Sequence, residues 1–229
     1  MKSSNQIPIV LNFLDQLKEN NNREWFELNK AKYTESLGFM IDFADELLLD
    51  LASHDTISTA TGKASLYRIY ADTRFSKDKA PYKNHWGIRF GRATLYLRGG
   101  YYVHIEPNNT FVAGGFFSPN AEDLLRIRKD IELNYEDWFA LLNTSEFKKH
   151  FGTIQGKKLK TCPKGFAKDH PGLELLKYQQ FIIKHSFTDA EVKASNFSAK
   201  ISEMLCAFRP FFDHMSEVLT TDANGESIV

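Results

Sequence analysis

Cysteine is scarce in this chain. Its two examples, Cys162 and Cys206, are far apart and fit no CxxC pattern, which argues against a disulfide framework and for a reducing compartment. Charge of one sign is missing too: 29 basic and 29 acidic residues cancel, so no global field draws the chain to DNA, whose dedicated binders carry a basic excess. No apolar run approaches the length that crosses a bilayer. The opening MKSSNQIPIVLNFL lacks the basic segment, apolar run and small-residue cleavage site of a leader. A soluble cytoplasmic protein without membrane contact is the expectation. The GxSxG elbow, the GxxxxGK[ST] phosphate loop and GxGxxG are absent. No cofactor and no metal site is expected.

Repeats, low-complexity blocks and an obvious linker are also wanting, so residues 1–229 are expected to form a single α+β domain with a frayed tail from about Thr221. The composition, 42% hydrophobic and 14% aromatic, is that of a globular chain. Apolar residues Val10, Phe13, Leu14 and Leu17 keep helical spacing. Asn22 is placed to cap a second helical stretch, Arg23 to Ala52, expected to be one long helix or two with a bend near Gly38. LYRIYA, WGIRF, ATLYLR, GYYVHIE and TFVAGGFF read as short strands, with turn chemistry at Arg98-Gly99-Gly100-Tyr101 and Pro107-Asn108-Asn109-Thr110. Gly114-Gly115 reads as a bulge or a close backbone approach. Asn120 and Asn134 are candidate caps for the helices after Pro119, and Asp169 for a short helix LELLKYQQ. FIIKHSF reads as a buried strand, and Thr188-Asp189-Ala190-Glu191 as a capping box. A C-terminal helical run continues past Pro210, which should kink it. Short strands in sequence favour an antiparallel meander, packed on one face by the long N- and C-terminal helices.

The densest chemistry lies in RIYADTRFSKDKAPYK. From Lys63 to Arg98 there are nine basic residues against only Asp72 and Asp78. Strand alternation would put Arg68, Tyr70, Asp72 and Arg74 on one face, opposite Tyr67, Ile69 and Ala71. Likewise Tyr102, His104 and Glu106 oppose Tyr101, Val103 and Ile105. One reading is an anion site, with Arg68 and Arg74 forking onto phosphate or carboxylate oxygens, Asp72 orienting one of them, Lys79 and Lys83 adding charge, and Tyr70 and Tyr102 stacking or hydrogen-bonding. A phosphate-bearing small molecule or nucleic acid is the partner it implies, and Tyr82 and Trp86 beside the basic patch would suit a single strand.

A second reading makes the same charges an internal salt-bridge network of a structural or protein-interaction domain, since the alternating signs suit internal pairing equally. A third is an enzyme on an anionic substrate with His104, Glu106 or Asp72 as acid–base groups. His104 and Glu106 share a face and would pair as base and orienter or as two metal ligands. The other histidines show no HExxH or HxH spacing, and only Lys160 and Lys164 stand near Cys162 to activate it.

RIYADTRFSKDKAPYK, with NNNREWF upstream, resembles the signature of the family called domain of unknown function 2461. The resemblance continues through YYVHIEPNNTFVAGGFFSP and LRIRKDI to CPKGFAKDHPGLELLK. It implies an α+β domain without a known cofactor, and it assigns no catalytic residue. The family pattern has Thr or Ser before the motif's proline, where this chain has Ala80. A hydroxyl at that position is therefore no essential nucleophile here.

Overall fold

A computed structural model describes residues 3–74, 79–222 and 224–229. After a 3-10 turn at Ser3–Gln6 come α1 (Ile7–Glu19), α2 (Arg23–Leu28), α3 (Lys30–Leu51) and α4 (Gly62–Ser65). Then follow β1 (Trp86–Gly91), β2 (Gly100–Ile105), β3 (Phe111–Phe116), α5 (Ala121–Leu133), α6 (Tyr135–Leu142), α7 (Ser145–Phe151) and α8 (Leu173–Leu176). The chain closes with β4 (Phe181–Ser186), α9 (Asp189–Val192), α10 (Phe197–Ala207) and α11 (Arg209–Thr220). The strands form one antiparallel sheet in the order β1-β2-β3-β4. The fold is α+β; β1, β2 and β3 follow one another as a meander, and β4 joins the sheet only after α5–α8. No described helix is long and apolar enough to cross a membrane.

The chain divides into two compact units. The first comprises Met1–Gly91, Tyr102–Val112 and Ser186–Glu203. Its core sets Val10, Leu14, Met40, Phe43, Ala44 and Leu47, from the apolar faces of α1 and α3, with Trp86, Ile88 and Phe90 of β1, all essentially without exposure. Trp86 Nε1 donates to Ser36 Oγ of α3 at 3.2 Å, so the indole is buried without an orphaned donor. The second unit comprises Arg92–Tyr101, Ala113–His185 and Met204–Val229. There Tyr101 lies edge-on to Phe212 of α11 at 4.9 Å and stacks on Phe208 at 6.2 Å. Gly114 is the floor for those rings: a Cβ on it would come 2.6 Å from Phe212 and 2.7 Å from Phe208. Gly115 makes the backbone approach, since its φ is +124° and a Cβ would strike the Phe181 carbonyl oxygen.

Locally encoded features form as expected. Asn22 and Asn120 accept hydrogen bonds from Trp25 N and Asp123 N as helix caps, and the Thr188–Glu191 capping box is complete. Asn108 adopts φ +61° in the β2–β3 turn, closed by Asn109 N donating to Glu106 O at 3.1 Å.

Several expectations fail for reasons of competition. The break after Arg23 falls at Asn29, whose Nδ2 donates back to Trp25 O, while Gly38 sits inside α3 with open space around it. LYRIYA is no regular strand. It bridges at Leu66↔Ile88, then pairs with its own continuation at Tyr70↔Tyr82, where Pro81 has no N–H to extend the ladder. The expected alternation is lost with it: Tyr67 and Tyr70 are both exposed and Ile69 is buried. ATLYLR is a loop, with Thr94 at φ +140° and Leu95 and Tyr96 exposed, because Arg92 leaves the strand to bond inside the second unit. The β1–β2 connection is therefore longer than a tight hairpin. Asn134 donates to Asp130 instead of capping α6, and His170 Nδ1, not Asp169, accepts from Gly172 N ahead of α8. Pro210 is the second residue of α11, in the first turn where its missing N–H costs no bond.

Candidate functional site

β2 lines up its polar face as alternation requires. The Tyr102 hydroxyl lies 3.0 Å from His104 Nδ1, and His104 Nε2 lies 2.9 Å from Glu106 Oε2. Two amides converge on the same carboxylate: Asn109 Nδ2 donates to Oε2 at 2.7 Å and Asn84 Nδ2 to Oε1 at 2.8 Å. The β2–β3 turn thus supplies Asn109, and the segment before β1 supplies Asn84. His104 is buried, its ring held between His85 at 4.3 Å and Phe111 at 4.6 Å. Gly87 of β1 gives Tyr102 its seat, because a Cβ there would come 2.9 Å from the hydroxyl oxygen.

The proton positions follow from the charges. Burial works against ionising Glu106, but the hydrogen bonds from His104 and Asn109 and the neighbouring imidazoles hold its carboxyl below the usual range. An ionised carboxylate only accepts, so His104 Nε2 carries a proton toward it. Burial, with Tyr67 and Glu106 alongside, pushes the Tyr102 phenol up to about 12. Tyr102 is therefore the donor to Nδ1, and its lone pairs face away from His104. Burial, then the charge of His104, push His85 down to about 4 despite Glu106, leaving it a neutral ring at pH 7. The line can pass a proton from Tyr102 to His104 with the imidazolium stabilised by Glu106.

The basic motif is arranged differently. Arg74 donates from Nε and Nη2 to the two carboxylate oxygens of Asp72 at 2.9 and 2.8 Å, an exposed fork. That pairing lowers the Asp72 carboxyl and raises the guanidinium. Lys79 Nζ donates to Thr73 O at 2.8 Å, and Lys83 Nζ to Arg68 O at 2.7 Å while lying 5.7 Å from the Tyr67 ring centre. Burial first, then the Arg68 charge, push the Lys83 ammonium below its ordinary value. The Arg68 side chain is exposed. Among the described residues neither Arg68 nor Lys83 forms an ion pair with a carboxylate. The expected partner Asp78, like Lys77, lies outside the described residues.

Aromatic packing fixes this segment to α2. Tyr82 stacks on Phe26 at 3.9 Å, and Asn21 binds both the N–H and the C=O of Tyr82. Tyr70 lies 5.6 Å from Tyr82. The two aromatics expected to stack bases are used up in this way: Tyr82 is 6% exposed and Trp86 1%. Tyr67 is the exposed ring beside Lys83 instead, while Tyr70 is exposed next to Tyr82. Among the described residues no group of three or more His, Cys, Asp or Glu could hold a metal ion. The Cys162 thiol faces the carbonyls of Pro163 and Phe166 at 3.5 and 3.4 Å.

Face-sharing of Tyr102, His104 and Glu106 was readable from alternation. The contributions of Asn84, His85 and Asn109 were not. Asn109 reads as turn chemistry, and nothing in the sequence brings Asn84 and His85 against a strand some twenty residues later.

No curated protein and no solved structure matches this chain significantly. A family described as conserved hypothetical protein (DUF2461) matches residues 9–214, the span that holds most of α1, both polar clusters and the first half of α11. The chain belongs to the DUF2461 family.

Proposed function

We propose that the protein binds a phosphate-bearing or similarly anionic ligand on the first unit, with Arg68 and Lys83 as its principal cations. The observation that carries this reading is the juxtaposition of two like charges without a carboxylate partner among the described residues. Burial and the Arg68 charge both disfavour the Lys83 ammonium, and an anion between the two groups would relieve that repulsion. The exposed ring of Tyr67 lies under the Lys83 ammonium and supplies apolar or cation–π surface for the ligand body. Arg74 and Lys79 are engaged by Asp72 and by Thr73 O, bonds that support the narrower reading of those two cations as an internal lock.

Thermal unfolding of the full chain, with inorganic phosphate, pyrophosphate, polyphosphate and a short oligonucleotide at low and moderate salt, tests this. Ligand at about 100 times its Kd adds about 2.7 kcal/mol of stability. A salt-sensitive rise that disappears in Arg68→Ala and Lys83→Ala but survives in Arg74→Ala is expected. A flat response to all four anions, or a rise indifferent to both substitutions, defeats the reading.

A further inference from the structure

We propose that Tyr102, His104 and Glu106 form a proton relay that activates water for hydrolysis of a phosphate ester, with Tyr102 the group that touches the water. The substrate class rests on the anion-site reading above; the chemistry rests on the geometry of β2. Two short hydrogen bonds in line, hydroxyl to imidazole to carboxylate, reproduce the arrangement of an activated hydroxyl, its base and the group that orients the base. Asn84 and Asn109 fix the carboxylate, which fixes the imidazole tautomer, which in turn aims the phenolic proton. Gly87 lets the Tyr102 ring and hydroxyl seat against β1, where any Cβ would collide with them.

Contrast with the other histidines sharpens the case. His150 meets Glu146 at 3.0 Å as an i, i+4 pair whose carboxylate is largely exposed, and the buried His214 Nε2 has no hydrogen-bond partner among the described residues. His104 has a hydroxyl on one nitrogen and a carboxylate on the other.

The relay and the cations lie together in the first unit. The Lys83 ammonium sits over the Tyr67 ring, the Tyr67 and Tyr102 rings are 6.2 Å apart, and the Lys83 charge acts on His85, which stacks on His104. As the water oxygen bonds to phosphorus, its proton passes to Tyr102 Oη while the phenolic proton passes to His104 Nδ1. The bond from phosphorus to the ester oxygen then breaks, and the proton stored on His104 returns through Tyr102 to the departing oxygen. Ester and water become phosphate and alcohol, and no oxidant or reductant is consumed. His85, neutral at pH 7, adds no repulsion to the imidazolium. Glu106 is a positioning residue, because it acts through His104.

The test uses the full chain with p-nitrophenyl phosphate and bis(p-nitrophenyl) phosphate. Tyr102→Phe and His104→Gln are expected to lower kcat by about 100-fold or more with KM kept, Glu106→Gln to lower kcat alone, and Arg68→Ala to raise KM. Nitrogen NMR of the wild type should show His104 protonated at Nε2 and accepting at Nδ1, with that preference lost in Glu106→Gln, a change that a merely structural contact would not couple to kcat. Tyr102→Phe removes one oxygen; should it fail to fold, the isosteric Glu106→Gln decides the kcat test. Absence of turnover on both esters by folded wild-type protein, or an unchanged kcat in Tyr102→Phe, overturns the relay. If inorganic phosphate still raises the unfolding temperature in that event, the relay falls and the anion site stands; if it does not, both fall.

Discussion

Arg92 and the Arg68–Lys83 pair are both basic sites near the sheet strands, and they are opposites. The Arg92 side chain is 0% exposed, and its guanidinium donates to Arg98 O at 3.0 Å, Ser216 Oγ at 3.2 Å and Asp213 Oδ1 at 2.9 Å, with the Phe212 ring 5.5 Å away. A cation removed from water must find such partners within the protein, so this one holds the second unit together. Arg68 stays in water and needs no internal partner, and among the described residues Lys83 meets a neutral carbonyl and the Tyr67 ring rather than a carboxylate. Burial with internal pairing marks the structural cation. Exposure beside another cation, without a carboxylate among the described residues, marks the pair that the proposed anion site uses.

The sharpest way to break this contrast is Arg92→Met, which takes the guanidinium donors from the Arg98 carbonyl and from Asp213 and should cost about 3 kcal/mol in urea unfolding. A cost as small as that of an exposed substitution would mean that Arg92 is not the structural pole. Gly114→Ala probes the same unit through packing alone. The added methyl meets the Phe208 and Phe212 rings, and a loss of about 2 kcal/mol is expected, read by the same titration.

The intermediate case, Glu191, is a half-buried charge used by the fold. Hydrogen bonds from Thr188 N and its hydroxyl, then Lys200, pull the Glu191 carboxyl down to about 2. Since the folded value lies below the unfolded one, near 4.3, its contribution is present above that pH and fades as pH falls toward about 2. Glu191→Gln should flatten stability over that window in acid titration, and Thr188→Ala should cost about 1 kcal/mol at neutral pH. At the smallest end stands Arg74→Ala. The Asp72–Arg74 fork is exposed on both sides, so the unfolding midpoint should not move measurably. A collapse of stability would instead make the fork a structural lock.

How much was legible follows the range of each interaction. The caps at Asn22, Asn120 and Thr188 involve partners three residues away and read directly from the sequence. Face-sharing in β2 needs only the two-residue period of a strand. By contrast, LYRIYA has strand composition but pairs with Tyr82 and Pro81 in a return of its own chain, and ATLYLR loses its strand to the bonds made by Arg92. Asn134 and Asp169 carry cap chemistry, yet nearby partners for Asn134 and the ring of His170 displace it. Trp86 and Tyr82, adjacent to basic residues in the chain, are turned inward by Ser36 and Phe26.

The sequence by itself therefore determined the periodic elements, the α+β class and the sidedness of β2, because each depends on spacing within one segment. Tertiary structure decided which charges are answered. It buried Arg92 among acceptors more than a hundred residues away, brought Asn84 and His85 to the His104–Glu106 pair, and left Arg68 in water. The physical reason is that desolvation and hydrogen-bond partnership belong to a place in the folded chain, and no residue carries either in its identity.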